Sequence, residues 1–142
     1  MKKEGRILVI SPGSELTPEA LCRYLVERGV RARIKETCFG VVLEGEEEAL
    51  REAVRSAREL DRYGVFSKPR GYPPGDPRIC RAHRGGSPRM GFHFLDYELE
   101  KLPLIGEALK DLEEGREAGL KGEERRKLPV GELKRVLAEE VP

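Results

Sequence analysis

Val30-Arg31-Ala32-Arg33-Ile34-Lys35 and, a few residues on, Gly40-Val41-Val42-Leu43 carry the reading that decides the fold. In the first stretch apolar and basic residues alternate. That is the pattern of a strand with one face buried, at a sheet edge where basic side chains also discourage edge-to-edge pairing. The second is apolar without alternation and reads as a central strand covered on both faces. A turn near Thr37-Cys38 joins the two.

On the N-terminal side, Ile7-Leu8-Val9-Ile10 is another continuous apolar run, ended by Ser11-Pro12-Gly13, and predicts a second central strand. A helix follows. Thr17 caps it, Pro18 occupies its first position, Glu19 faces the positive end of its dipole, and Leu16 and Leu21 have the spacing of a hydrophobic staple. Ala20, Leu21, Tyr24 and Leu25 form its buried stripe, Cys22 between them reads as packing, and Gly29 stops it. On the C-terminal side, Leu50, Ala53, Val54, Ala57 and Leu60 mark a helix from about Glu46 to Arg62, closed by Gly64, and Val65-Phe66 is a short last strand. The order βαββαβ, with two right-handed crossovers, predicts an α+β ferredoxin-like sandwich over residues 5–68. In it the first and third strands are central and the second is an edge.

Beyond this domain the periodicity stops. Ten glycines and prolines crowd residues 69–91, a loop long enough to be functional or disordered. Gly91-Phe92-His93-Phe94-Leu95 looks extended, with Phe92 and Phe94 on one side and His93 on the other. Asp96 to Leu102 predicts a short helix capped by Asp96 and broken at Pro103, after which Ile105, Ala108, Leu109 and Leu112 give a second amphipathic face. Residues 69–114 thus form a basic Gly/Pro loop with a helical extension. Residues 115–142 form a charged linker and a last helix with Val130, Leu133, Leu137 and Val141 on one stripe.

Net charge is only +1, which gives no global argument for nucleic acid or membrane, but the distribution is uneven. Arg62, Lys68, Arg70, Arg78, Arg81, Arg84 and Arg89 stand against a single acid, Asp76, so residues 62–93 carry +6 and the remainder −5. Such asymmetry points to an anionic partner for one surface. No stretch has the length of a signal-peptide core or a membrane span, and three scattered cysteines suit reduced thiols in a cytoplasm.

The central segment is Gly75-Asp76-Pro77-Arg78-Ile79-Cys80-Arg81-Ala82-His83-Arg84-Gly85-Gly86. Arginine presents a planar, permanently charged fork to carboxylate, phosphate or sulfonate. Glycines let backbone N–H groups approach an anion, and prolines reduce the ordering entropy lost on binding. The anion- or partner-binding set expected here is Lys68, Arg70, Asp76, Arg78, Arg81, His83, Arg84, Arg89 and His93. The competing reading is a solvated loop whose arginines pair with the acidic remainder of the chain. Cys80 and His83 form one C-x-x-H pair on which Cys38 and His93 could converge, but a zinc signature needs two such pairs, so neither metal nor other cofactor is expected. Arg78, Arg81 and His83 would favour a Cys80 thiolate, which makes Cys80 and His83 the catalytic candidates. Asp96, Glu98 and Glu100 splay apart on a helix and do not make a carboxylate pair, and Ser11-Pro12-Gly13-Ser14 lacks the Gly-Lys-Ser/Thr ending of a P-loop. Cys38-Phe39-Gly40-Val41-Val42 resembles part of an RNA-recognition motif. Yet the first strand has no aromatic and Val41 stands where one is expected, so nucleic acid is a minor reading.

Phe66-Ser67-Lys68-Pro69-Arg70-Gly71, Gly75-Asp76-Pro77-Arg78-Ile79-Cys80-Arg81-Ala82 and Gly91-Phe92-His93-Phe94 resemble the methanogenesis marker protein family, most closely marker protein 6, over roughly residues 6–114. The resemblance implies a cytoplasmic protein of methane-producing archaea tied to methyl-coenzyme M reductase. It assigns no reaction and no catalytic residue. The expected function is an accessory protein that assists assembly, cofactor loading or activation of that reductase, with the reductase or its other accessory proteins as partners and an anionic small molecule as a further ligand. The alternative is a small enzyme that uses Cys80 or His83 on an anionic metabolite or protein.

Overall fold

A computed structural model describes residues 2–79, 92, 94–115 and 129–140. The chain is an α+β protein whose elements run β1 (Glu4–Ile10), α1 (Pro18–Glu27), β2 (Arg33–Glu36), β3 (Gly40–Gly45), α2 (Glu47–Leu60), β4 (Val65–Pro69), α3 (Leu95–Glu113) and α4 (Val130–Glu140). The four strands form one sheet in the order β2-β3-β1-β4, and every neighbouring pair is antiparallel. The two apolar runs are the two central strands, with Leu8 opposite Val41 on one side and Ser67 on the other. The alternating, basic strand is an edge.

Local chemistry sets the helices. The Thr17 hydroxyl accepts the Ala20 N–H at 3.2 Å, Pro18 starts α1, and Gly29, at φ +70°, ends it in the left-handed region that glycine enters at least cost. Leu21 and Leu25 from α1 and Leu50, Ala53 and Ala57 from α2 bury against Leu8, Ile10, Val41 and Leu43 on one face of the sheet. Val30, Ala32 and Ile34 pack there too, although pairing in β2 begins only at Arg33.

The opposite face is also covered. Ile7, Val9, Phe39 and Val42 pack with Phe92, Leu95 and Leu102, and Phe66, Tyr72, Ile79 and Leu99 close the margins of this second core. The face on which an RNA-recognition domain would stack bases is therefore occupied by the chain itself. Val41 points the other way, into the α1–α2 side.

Three expectations fail on this face. Pro103 does not break the helix: α3 is continuous from Leu95 to Glu113. A proline inside a helix removes one hydrogen bond and costs about 3 kcal/mol. Burial of Leu95 and Leu102 on one side of it and Gly106 on the other offsets that cost. Gly106 lets α3 pass so close to the Tyr63 backbone that an added Cβ would lie 2.6 Å from its carbonyl oxygen. Nor do Phe92 and Phe94 share a side. Phe92 is 4% exposed, whereas Phe94 caps α3 at 74% exposure. Asp96, expected as the cap, sits in the first turn instead.

Among the described residues no helix is long and apolar enough to cross a membrane.

The closest approach in the sheet is at Gly40, where an added Cβ would lie 1.9 Å from the Leu8 carbonyl oxygen. Gly40→Ala should therefore destabilise the fold by more than about 3 kcal/mol, since backbone has to move. Gly29→Ala, whose Cβ would meet nothing within 4 Å, should cost only about 1–2 kcal/mol from the backbone angle. Denaturation midpoints of the two variants test this, and equal losses would refute it.

Candidate functional site

The basic segment leaves the sheet at the end of β4, and its first residue turns inward. The Arg70 N–H donates to the Gly5 carbonyl at 3.1 Å, and the side chain runs past Gly5, where a Cβ would crowd Arg70 Cβ and Cδ at 3.2 Å. The Arg70 side chain is 1% exposed and its partner Glu44, on β3, 6%. Arg70 Nη1 donates to Glu44 Oε1 at 2.5 Å, and Nη2 donates to the carbonyl oxygens of Asp76 at 2.8 Å and Arg78 at 3.1 Å. The Gly75 N–H completes the arrangement, donating to Glu44 Oε1 at 2.9 Å from a residue at φ +87°. One buried ion pair thus holds three backbone groups of the loop. Arg70 Nε is buried and has no hydrogen-bond partner among the described residues.

The next shell is built from the loop itself. Asp76 Oδ1 accepts the Arg78 N–H and Nε at 2.9 Å each, and Oδ2 accepts Nη2 at 2.6 Å. The Arg78 guanidinium lies over the Tyr72 ring, 3.9 Å from its centroid. Tyr72 packs on Phe92 at 6.0 Å, and Phe92 on Phe39 at 5.8 Å, so an aromatic ladder joins the loop to the second core. Lys68 Nζ donates to Glu98 at 2.6 Å and ties β4 to α3.

The electrostatics follow. Burial alone would push Glu44 up. The Gly75 N–H and the Arg70 guanidinium, with Arg33 3.7 Å from Oε2, outweigh burial and hold its carboxyl below the ordinary value. The hydrogen bonds from Arg78 hold Asp76 well below the usual carboxylate range, and Asp76 raises Arg78 in return. Burial, helped by Glu36, pushes the Cys22 thiol up, as befits a packing residue.

Of the expected binding residues, Lys68, Arg70, Asp76 and Arg78 are described, and all four have protein partners. Arg70 is the clear departure: it faces the interior and organises the loop instead of presenting charge to a ligand. Cys80, Arg81, His83, Arg84, Arg89 and His93 lie outside the described residues. Cys38 is exposed at the β2–β3 turn, and its prospective metal partners Cys80, His83 and His93 belong to that outside set. Among the described residues no group of three or more metal-binding side chains converges. At the β1–α1 turn the Gly13 N–H donates to Ser11 Oγ and the Leu16 N–H to Ser14 Oγ, so those donors serve the turn itself.

Glu44 is the residue that sequence reasoning missed. Its signal was an acid at the end of an otherwise apolar strand, which demands a buried cation somewhere in the chain. A cleft of about 960 Å³ opens beside it, where Lys3, Arg31, Arg33 and Arg55 face Glu44, Glu46, Glu48 and Glu52. Charges in it balance, so it gives an anion no net attraction. The cationic excess remains with the 62–93 segment.

Most of the chain from β1 to α3 matches the sequence model of an archaeal family. The chain belongs to that family: residues 7–110 match the one described as "Uncharacterized protein conserved in archaea (DUF2102)". It is similar to the uncharacterized protein MJ0498 of Methanocaldococcus jannaschii, 41% identical over 113 residues that cover 80% of this chain and 72% of that protein. No solved structure matches the chain. The family match spans β1 to the last turn of α3, and α4 lies beyond it.

Glu44→Gln should destabilise the protein by about 3 kcal/mol at neutral pH by leaving Arg70 buried without a counter-charge. The sign of the pH dependence follows from the lowered folded pKa. Glu44's contribution is complete above its unfolded value near 4.5 and is lost as pH falls through the folded value. Denaturation curves of parent and variant should therefore converge in acid. A gap that is constant with pH would contradict the ion-pair account.

Proposed function

We propose that the protein is a non-enzymatic accessory factor of methanogenesis that helps assemble, load or activate methyl-coenzyme M reductase through its arginine-rich segment. The observation that carries this reading is the anchoring of the segment. The Glu44–Arg70 pair fixes the backbone at Gly75, Asp76 and Arg78, immediately before the remaining cations of the segment in sequence. A docking loop whose base is already ordered loses less entropy on binding. The contact set we assign is Lys68, Arg78, Arg81, Arg84 and Arg89, with Arg70 and Asp76 holding the loop in shape. Arg78 exchanges its Asp76 bonds for those of an anionic partner.

The resemblance to methanogenesis marker protein 6 supports this setting, and the source of the 41% identical relative, Methanocaldococcus jannaschii, is in keeping with it. The strand order β2-β3-β1-β4, with both crossing helices packed on one face, supports the ferredoxin-like reading of the scaffold. A cytoplasmic location belongs to the same proposal.

The test is affinity purification from a methane-producing archaeon of the tagged parent and of a variant with Arg78, Arg81 and Arg84 changed to Glu. The parent should bring down methyl-coenzyme M reductase or its accessory proteins, and the variant should lose at least about tenfold, as reversal of complementary charge does. A parent that purifies alone would overturn the proposal. Loss of a cellular phenotype on Cys80→Ser or His83→Ala, with docking intact, would favour the enzyme instead.

A further inference from the structure

The hydrogen-bond pattern of the sheet fixes which main-chain groups of β4 face outward. At the two ends of the β1–β4 register, the Ser11 N–H donates to the Gly64 carbonyl at 2.8 Å and the Arg70 N–H to the Gly5 carbonyl at 3.1 Å. Bonded pairs recur at every second residue of an antiparallel ladder. Phe66 and Lys68 therefore bond to β1, while the N–H and C=O groups of Val65 and Ser67 point away from it. β4 is an edge strand, and among the described residues no group bonds to these outward donors and acceptors. Pro69, which has no N–H, ends the strand.

The other edge is guarded. β2 carries Arg33 and Lys35, preceded by Arg31, and pairing it with its own copy would bring like charges together. On β4 the single cation, Lys68, is neutralised by Glu98 at 2.6 Å. Beside it a groove of about 380 Å³ runs between β4 and α3, with Val9, Phe66, Tyr97, Leu102 and Ile105 as its apolar lining. Tyr97 and Ile105 leave 62% and 43% of their surface in water.

We infer that a second copy of this chain pairs at this edge, β4 against β4, about a twofold axis at Phe66. Antiparallel pairing of a strand with its own copy is twofold by construction and closes as a dimer. In this register the Val65 N–H donates to the carbonyl of Ser67 of the partner subunit, the Ser67 N–H to that of Val65 of the partner subunit, and the reverse. Every outward group of both residues is then satisfied. Pro69 falls outside the pairing, where its missing N–H costs nothing, and Lys68 falls opposite a glycine, Gly64, instead of another lysine. The two Phe66 side chains become close cross-strand neighbours on the sheet face that α3 covers. The grooves of both copies flank them, so Tyr97 and Ile105 lose apolar surface to the contact.

The test follows the mass and the amide exchange of the full chain together, from dilute solution up to about 1 mM. The mass should rise to twice 16.0 kDa, and over the same range the Val65 and Ser67 amides should slow at least about tenfold. Ser67→Pro removes an outward N–H that the β1 ladder does not use, and should weaken the dimer at least about tenfold. Ser67→Ala, which gives up only the hydroxyl that accepts from Arg6, should leave it intact. Tyr97→Glu with Ile105→Glu, at exposed positions where thermal unfolding reports the fold, should weaken it as well. A chain that stays monomeric would overturn the inference. So would a dimer whose Val65 and Ser67 amides stay unprotected, protection independent of concentration, or a dimer indifferent to the Ser67→Pro and groove variants.

Discussion

The contact between Glu44 and Arg70 joins two strand ends that the sheet itself does not pair. β3 and β4 lie on opposite sides of β1, and the ion pair spans that gap at one end of the sheet. Burying two charges costs several kcal/mol per ion, repaid only when the geometry is good and the remaining polar atoms find partners. Here both terminal nitrogens of the guanidinium are used, and Glu44 accepts from Gly75 as well. An arginine suits the position because its planar fork reaches a carboxylate with one nitrogen and two carbonyls with the other, which an ammonium does less well. Such a pair adds little net stability over an apolar substitute. What it contributes is a fixed backbone at Gly75, Asp76 and Arg78.

From that anchor the rest of the second layer follows. With the loop backbone held at residues 75–78, Tyr72 and Ile79 reach the face of the sheet left open by α1 and α2, and Phe92 and α3 complete it. Among the described residues, both faces of the sheet are thus covered by the chain itself. Arg78 shows the compromise in the loop. It is held by Asp76 and stacked on Tyr72, yet at the surface, where an ion pair is worth little in water.

Elements governed by nearby residues were legible in the sequence. The Thr17-Pro18-Glu19 start of α1, the apolar stripe of α2 and the contrast between the basic edge strand and the two apolar central runs needed only local spacing. The site was legible as a composition, a basic Gly/Pro segment, but not as a geometry. Arg70 looks like its neighbours in sequence, and only a partner 26 residues away in a different strand distinguishes it. The continuity of α3 through Pro103 was hidden for a related reason. The proline signal is local, while the burial of Leu102 and the passage of Gly106 over Tyr63 depend on the assembled sheet. Phe92 and Phe94 were placed together because an extended run was assumed, where the chain instead turns into a helix at Phe94.

The most direct examination of the anchor is amide exchange on the Arg70→Lys variant, which keeps the positive charge but removes the fork. The account predicts that the Gly75 amide, bonded to Glu44 in the parent, exchanges at least about tenfold faster, while the amides paired between β1 and β3 keep their protection. Unchanged exchange at Gly75 would contradict it, because the loop would then hold its shape without the two-sided grip of Arg70.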